Sequence, residues 1–308
     1  MATALVTHAD GMLHETPEGH PEQVARLEHV LHAMHGLDLQ WRSAPKADIE
    51  LLTLCHPESY VHRISAAEPT TGLAQLDEDT WMSPESFLAA SRAVGGVCRA
   101  VDMVLAGEVG NAFCATRPPG HHAERETPMG FCLFGTAAIA AKHALDNHGL
   151  TRVAVVDFDV HHGNGTQDLL WDEARALLIT SQQSPLWPGT GAAEERGGHD
   201  NVLNVPLPPD SDGSVMREAY QQQVFPRLRA FAPELIIISA GFDAHADDPL
   251  AALNWTVDDY TWLTQQICAV ARENAQGRVV STLEGGYDLA ALGASAKAHV
   301  EALMEAST

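Results

Sequence analysis

Seven short β-branched runs recur along this chain: "TALVT" (3–7), "NAFCAT" (111–116), "RVAVVDF" (152–158), "ALLIT" (176–180), "NVLNV" (201–205), "ELIIIS" (234–239) and "RVVSTLE" (278–284). Several are apolar at successive positions instead of alternating. Such strands must be covered on both faces, which is the condition of a parallel sheet between two helical layers. Helix-like stretches at 22–35, 84–106, 135–147, 213–231, 256–275 and 289–305 separate the runs, so the spacing predicts a wound α/β sheet. The helix at 84–106 opens with "SPES", where Ser83 is expected to cap and Pro84 to occupy the first helical position. The 308 residues contain no repeat, low-complexity segment or linker, so one domain over 1–308 is expected.

Ligands in such sheets bind beyond the carboxyl ends of the strands. Four of the runs end in polar clusters. "VVDFDVHHGNGT" (155–166) passes from a buried strand into Asp157, Asp159 and His161, which period-two spacing places on one side. Carboxylates left uncompensated there would cost several kcal/mol or more each, so the site calls for partners, protonation or a cation. "ELIIISAGFDAHADDPL" brings Asp243 and His245 to a second strand end. Asp and His without Cys suit a borderline divalent ion such as zinc, and three protein ligands would leave a coordination position open. "ATRPPGHHAE" (115–124) presents the neighbours His121 and His122, suited to proton transfer, with Asp157 and Asn164 as candidates to orient them. "STLEGGYD" (281–288) projects Tyr287, a candidate oxyanion donor, from a turn of two glycines.

Composition narrows the alternatives. The 18 basic and 41 acidic residues leave a net charge of -23, which repels nucleic acid and reads first as solvation. The start "MATALVTHADGM" lacks a secretory pattern and no apolar run approaches a bilayer's span, so no membrane partner and a cytoplasmic location are expected. Five dispersed cysteines without a C-x-x-C pair argue against both a disulfide framework and a thiolate zinc knot. His29, His32 and His35 have near-helical spacing but read as a solvated helix face. "HETPEGH" (14–20) has the wrong spacing for H-E-x-x-H, and Pro17 opposes the helix that motif needs. Neither a G-x-S-x-G elbow nor a phosphate-binding P-loop is present.

Together the stretches "HETPEGHPEQVARL", "RPPGHHA", "GFCLF", "DFDVHHGNGT", "SPLWPGTG", "SAGFDAHADDPL" and "EGGYD" resemble the zinc-dependent histone deacetylase family, nearer its class II and bacterial amidohydrolase branches. The resemblance implies the arginase/deacetylase α/β fold with an eight-stranded parallel sheet flanked by helices. It implies zinc on Asp159, His161 and Asp243, proton transfer by His121 and His122 oriented by Asp157 and Asn164, and Tyr287 at the carbonyl oxygen. Gly130, Phe131 and Trp187 would wall a substrate tunnel, with Asp79 at its rim and Arg26 in a product channel. A structural potassium ion would lie near Asp157, Asp159, His161, Thr180 and Ser181. The implied activity is removal of acetyl or other short acyl groups from acyl-lysine or a related small acylated amine, by metal-activated water.

The sequence departs from the family at several points. Leu250 stands where polyamine-selective relatives place a glutamate, which weakens the alternative of an acetylpolyamine amidohydrolase. Thr180 replaces a usual serine, Gln182 a frequent histidine, and Gly135-Thr136 follows "GFCLF" where asparagine is common. A non-catalytic acyl-lysine or metabolite binder is the competing reading from another class, and it has no need of a general base or an oxyanion donor. An arginase-like ureohydrolase would require a richer D-x-H-x-D set. Oligomeric state is open.

Overall fold

The apolar runs become strands of one eight-stranded sheet in the computed structural model, which describes residues 1–307. Its strands are β1 (Thr3–Thr7), β2 (Gln40–Ser43), β5 (Asn111–Cys114), β6 (Val153–Asp157), β7 (Ala176–Gln183), β8 (Val202–Leu207), β9 (Leu235–Ala240) and β10 (Val279–Leu283). A separate antiparallel pair is formed by β3 (Ala74–Gln75) and β4 (Trp81–Met82). Every pairing within the large sheet is parallel, in the order β2-β1-β5-β10-β9-β6-β7-β8.

That order places the chemistry. The chain lays down β1, β2 and β5, crosses to β6, β7 and β8, and only then fills the two central places with β9 and β10. The reversal of strand order opens a crevice at the carboxyl ends. The four polar clusters follow β5, β10, β9 and β6, which are consecutive neighbours across the middle of the sheet. Register keeps their ends level: Thr282 pairs with Cys114 and with Ser239, and Ser239 pairs with Asp157.

Helices cover both faces. The α-helices are α1 (Ala25–Ala33), α2 (Ile49–Leu52), α3 (Glu58–Ala67), α4 (Ser86–Leu105), α5 (Thr136–Asp146), α6 (Asn164–Leu170), α7 (Gly213–Ala219), α8 (Phe225–Phe231), α9 (Val257–Asn274) and α10 (Leu289–Ala306). Val155 and Ile237 pack with α4 and α5 on one side, while Val156 and Ile238 pack with α1, α9 and α10 on the other. Alternate residues of one strand thus serve two cores, which explains their apolar continuity. α9 starts in a capping box of Thr256 and Asp259, and Asp288 caps α10 by accepting from the Ala291 N–H at 2.8 Å. The second cap also fixes the residue that follows Tyr287.

Three local expectations change. α4 begins at Ser86 with no side-chain cap, because Ser83 is engaged elsewhere: its hydroxyl accepts from the Glu15 N–H and donates to the Leu13 carbonyl. The stretch 213–231 is broken by a π-helical segment, Tyr220–Val224, which ends two residues before Pro226, whose missing N–H cannot continue an α-helical ladder. β2, the β3–β4 pair, α2, α3 and α6 are additions. All five cysteines are free and buried, and His29, His32 and His35 are exposed. Among the described residues no helix is long and apolar enough to cross a membrane.

Candidate active site

β6 stops at Asp157 and the chain turns. Asp157 Oδ1 accepts from the Asp159 N–H at 3.1 Å, and Asp159 Oδ1 from the His161 N–H at 2.9 Å. These short-range bonds replace the strand ladder. They separate Asp157 from the pair it would have joined on a continued strand. Asp159 and His161 instead meet Asp243 from the end of β9, in a group whose donor atoms all lie within 4.8 Å of one another. His161 Nδ1 faces Asp159 Oδ1 at 3.2 Å and Asp243 Oδ2 at 3.1 Å. His245 stays outside this group, and its Nδ1 accepts from the Asp247 N–H.

The group fits a divalent metal. All three residues are buried, and the chemistry is one imidazole nitrogen and two carboxylates. Burial and the neighbouring Asp159 carboxylate push Asp243 up to about 7. Burial opposes a charged His161, yet hydrogen bonds to Asp159 and Asp243 hold it up to about 10. Two buried carboxylates facing one imidazole are a set that calls for a cation. The remaining carboxylate oxygens have fixed partners: the Val160 N–H donates to Asp243 Oδ1 and the Gly285 N–H to Asp159 Oδ2, each at 2.8 Å. Gly285 is required there, since a Cβ would lie 2.2 Å from Asp243 Oδ2 and 2.5 Å from Asp159 Oδ2.

A second group, Asp102, His143 and His148, differs in kind. Asp102 Oδ1 faces the two Nε2 atoms at 2.7 and 2.8 Å, but Asp102 is only half-buried and His148 is exposed, whereas the Asp159 group is buried throughout.

The His pair follows β5. Its rings lie 3.9 Å apart between centroids. His121 Nδ1 donates to Asp157 Oδ2 at 3.0 Å, and His122 Nδ1 donates to Asn164 Oδ1 at 2.7 Å. Burial works against a charged His121, but Asp159 and Asp157 outweigh it and hold the group well above the ordinary imidazole value. His122 is driven well below that value by burial and by its neighbours His121 and His161. One imidazole is thus disposed to carry a proton and the other to lack one.

An apolar cavity of about 370 Å³ opens above this floor. Its lining includes His122, His161, Tyr287, Gly130, Phe131, Trp187, Leu250 and Asp79. Trp187 is exposed on one side and stands edge-on to His122, with centroids 4.7 Å apart. Gly130 has φ +56°, and a Cβ there would lie 2.4 Å from His122 Cδ2, so only glycine lets the wall approach the imidazole. Asp79 Oδ1 accepts from the Gly130 N–H at 3.2 Å, tying rim to wall. Arg26 does not line the cavity. Its guanidinium lies 4.9 Å from the Tyr287 ring centroid and donates to Glu22 and to the Gly286 and Glu284 carbonyls. Thr180 donates to Gln182 Oε1 and Ser181 shares a hydrogen bond with the Tyr220 hydroxyl.

Several neighbours went unread in the sequence. Glu22 is fully buried between Arg26 and Arg117 and holds the N-terminal segment against the turn that carries the His pair. His20 packs edge-on against Phe131, with centroids 4.8 Å apart, and also lines the cavity. Glu124 accepts from the Asn164 side-chain amide at 2.9 Å. Glu284 sits beneath the His pair. Each lies inside or beside a motif already noted, but acid type alone does not separate a buried partner from a solvated one.

Fold and site define a class: a parallel-sheet hydrolase with a metal-ready Asp-His-Asp group and a histidine pair under an apolar cavity. The Histone deacetylase domain profile matches residues 20–303, and the chain belongs to this family. It is 41% identical over 273 residues to the histone deacetylase-like amidohydrolase of Pseudomonas aeruginosa, covering 87% of this chain and 71% of that one. It is 35% identical over 323 residues to "Histone deacetylase 14, chloroplastic" of Arabidopsis thaliana, covering 97% and 76%. The crystal structure of the HDA15 HD domain superposes with a TM-score of 0.94 at 32% identity, covering 99% of this chain and 88% of that one. The chain is accordingly a deacetylase, a hydrolase of the amidohydrolase kind.

Proposed function

We propose that residues 1–308 form one catalytic domain that uses zinc to remove acetyl or other short acyl groups from acyl-lysine or related acylated amines. The observation that carries this reading is the meeting of Asp159, His161 and Asp243 with His121 and His122, of which His161 and His122 line one apolar cavity. Asp159, His161 and Asp243 would hold the zinc. When bound, zinc supplies Lewis acidity that polarises an amide carbonyl and makes water a stronger acid.

The chain's own groups do the rest. His122 spends its Nδ1 proton on Asn164, which leaves Nε2 free to accept a proton from the attacking water. His121, held by Asp157, keeps positive charge beside it and can return a proton to the departing amine. Tyr287 donates to the carbonyl oxygen as negative charge develops there. Phe131, Trp187 and Leu250 supply an apolar sleeve for an alkyl stem, and Leu250 offers no charge to a distant ammonium. This favours acyl-lysine over acylated polyamines. Potassium enters no step.

The test is a substrate panel on the zinc-loaded protein: acetyl-lysine peptides beside N-acetylputrescine and N-acetylspermidine. Peptide turnover should exceed polyamine turnover, and the reverse order would sink the substrate assignment. Chelation should abolish activity and zinc restore it. Tyr287→Phe should lower kcat by about 10²–10³ with zinc content retained, the loss typical of one oxyanion donor. Equal background rates from wild type and Tyr287→Phe would favour a binding protein instead.

A further inference from the structure

Glu284 is a fully buried carboxylate that neither the zinc group nor the proposed proton transfers use. It directly follows β10, beside the Gly285 whose N–H holds Asp159. Its Oε2 accepts from two consecutive backbone amides, the Gly120 N–H at 2.8 Å and the His121 N–H at 3.1 Å. Its Oε1 accepts from the Ser239 hydroxyl at 3.1 Å, on the neighbouring strand β9. All three contacts are donors directed at an acceptor, which suits a carboxylate and no apolar residue. The segment it grips leaves β5 through a proline turn and has no strand partner at that point, so these two amides would otherwise be buried without acceptors.

From this geometry we infer that Glu284 is a positioning residue for the His121–His122 pair: it clamps the backbone of the pair to the two strands that also frame the zinc ligands. The inference rests on the proton-transfer role proposed for the pair. The clamp fixes the distance between two parts of the site that come from different strands. β9 brings Asp243, β10 brings Tyr287, and the Glu284 side chain carries their position across to the loop after β5. A displacement of about 1 Å in such a group can cost on the order of 10²-fold in rate.

Isosteric replacement separates this role from bulk stability. In Glu284→Gln the amide oxygen can accept from both N–H groups while its NH2 donates to Ser239, so the clamp is kept and the charge is lost. Glu284→Ala leaves both amides without an acceptor, and Glu284→Met does the same while filling the volume, which supplies a second variant should alanine fail to fold. Activity, KM and zinc stoichiometry would be measured for all three on zinc-loaded protein, with His122→Ala as control. We expect kcat to fall about ten- to hundredfold in Glu284→Ala or Glu284→Met, with KM within about threefold and one zinc retained. Glu284→Gln should recover to within about threefold of wild type. Wild-type kcat in the alanine or methionine variant overturns the inference, as does equal damage in the glutamine variant or loss of zinc in step with activity. Full activity in His122→Ala would instead overturn the reading on which it rests.

Discussion

At His122 the proposed chemistry turns on which ring nitrogen carries the proton, and a residue outside the cavity decides it. Glu124 can only accept, so Asn164 turns its NH2 toward Glu124 and its carbonyl oxygen toward His122. His122 must then be protonated at Nδ1, which leaves Nε2 with its lone pair. Without Glu124 the Asn164 amide can reverse, present its NH2 to Nδ1 and move the imidazole proton to Nε2. Glu124→Ala should therefore lower kcat by about three- to tenfold with KM little changed, while Glu124→Gln, which keeps an acceptor, should recover most of the rate. Steady-state kinetics of the two variants check this, and unchanged kcat in the alanine variant refutes it. At this scale the sequence was legible in residue type and only partly in role. Period-two spacing put Asp157 with Asp159 and His161, because a strand was assumed to continue; the side chain of Asp157 itself captures the Asp159 N–H and ends the strand.

Among the elements, long apolar runs were legible because burial on both faces leaves no other composition, and seven of them became strands at the expected places. β2 was not, since four residues at an exposed sheet edge carry no continuous apolar signal. α6 was hidden by "GNGT", where two glycines suggest a turn although the helix starts at Asn164. The junction of β10 with its loop shows why small residues there matter more than their propensities. Gly285 passes between Asp159 and Asp243 so closely that any side chain would displace a carboxylate. Gly285→Ala should leave the sheet folded but reduce bound zinc well below one equivalent, with activity falling in proportion. Metal analysis after dialysis, together with a thermal unfolding curve, measures both. Full zinc occupancy in a folded variant would contradict the crowding argument.

For the whole molecule, the sequence specified layers but not neighbours: parallel strands between helices were readable, whereas the insertion of β9 and β10 between β5 and β6 depends on helix packing over distant segments. Several titratable groups outside the cavity lining are buried, and they weaken the fold in acid. His299 of α10 is fully buried, its Nδ1 donating to Thr264, whose own hydroxyl proton goes to the Tyr260 carbonyl, and its Nε2 accepting from Ser281. The neutral ring is satisfied as it stands, and burial lowers its pKa to about 3. His14 and His56 are likewise lowered to about 4, chiefly by burial. A histidine depressed on folding takes up its proton in the unfolded chain first, near pH 6.5. Stability is therefore whole above that pH and declines as pH falls toward 4 and 3, by about 1.4 kcal/mol per pH unit for each such group. Glu22 adds a second, lower window: burial opposes its charge, Arg117 and Arg26 outweigh it, and its pKa of about 2 means stability lost only below the unfolded value near 4.5. Urea unfolding of the zinc-loaded protein at pH 7, 6 and 5 should show the decline, and His299→Gln should flatten it by about one proton while lowering stability at pH 7. Because both proteins carry the same metal, the difference in slope isolates His299, and parallel slopes would show that this ring contributes nothing to the weakening in acid.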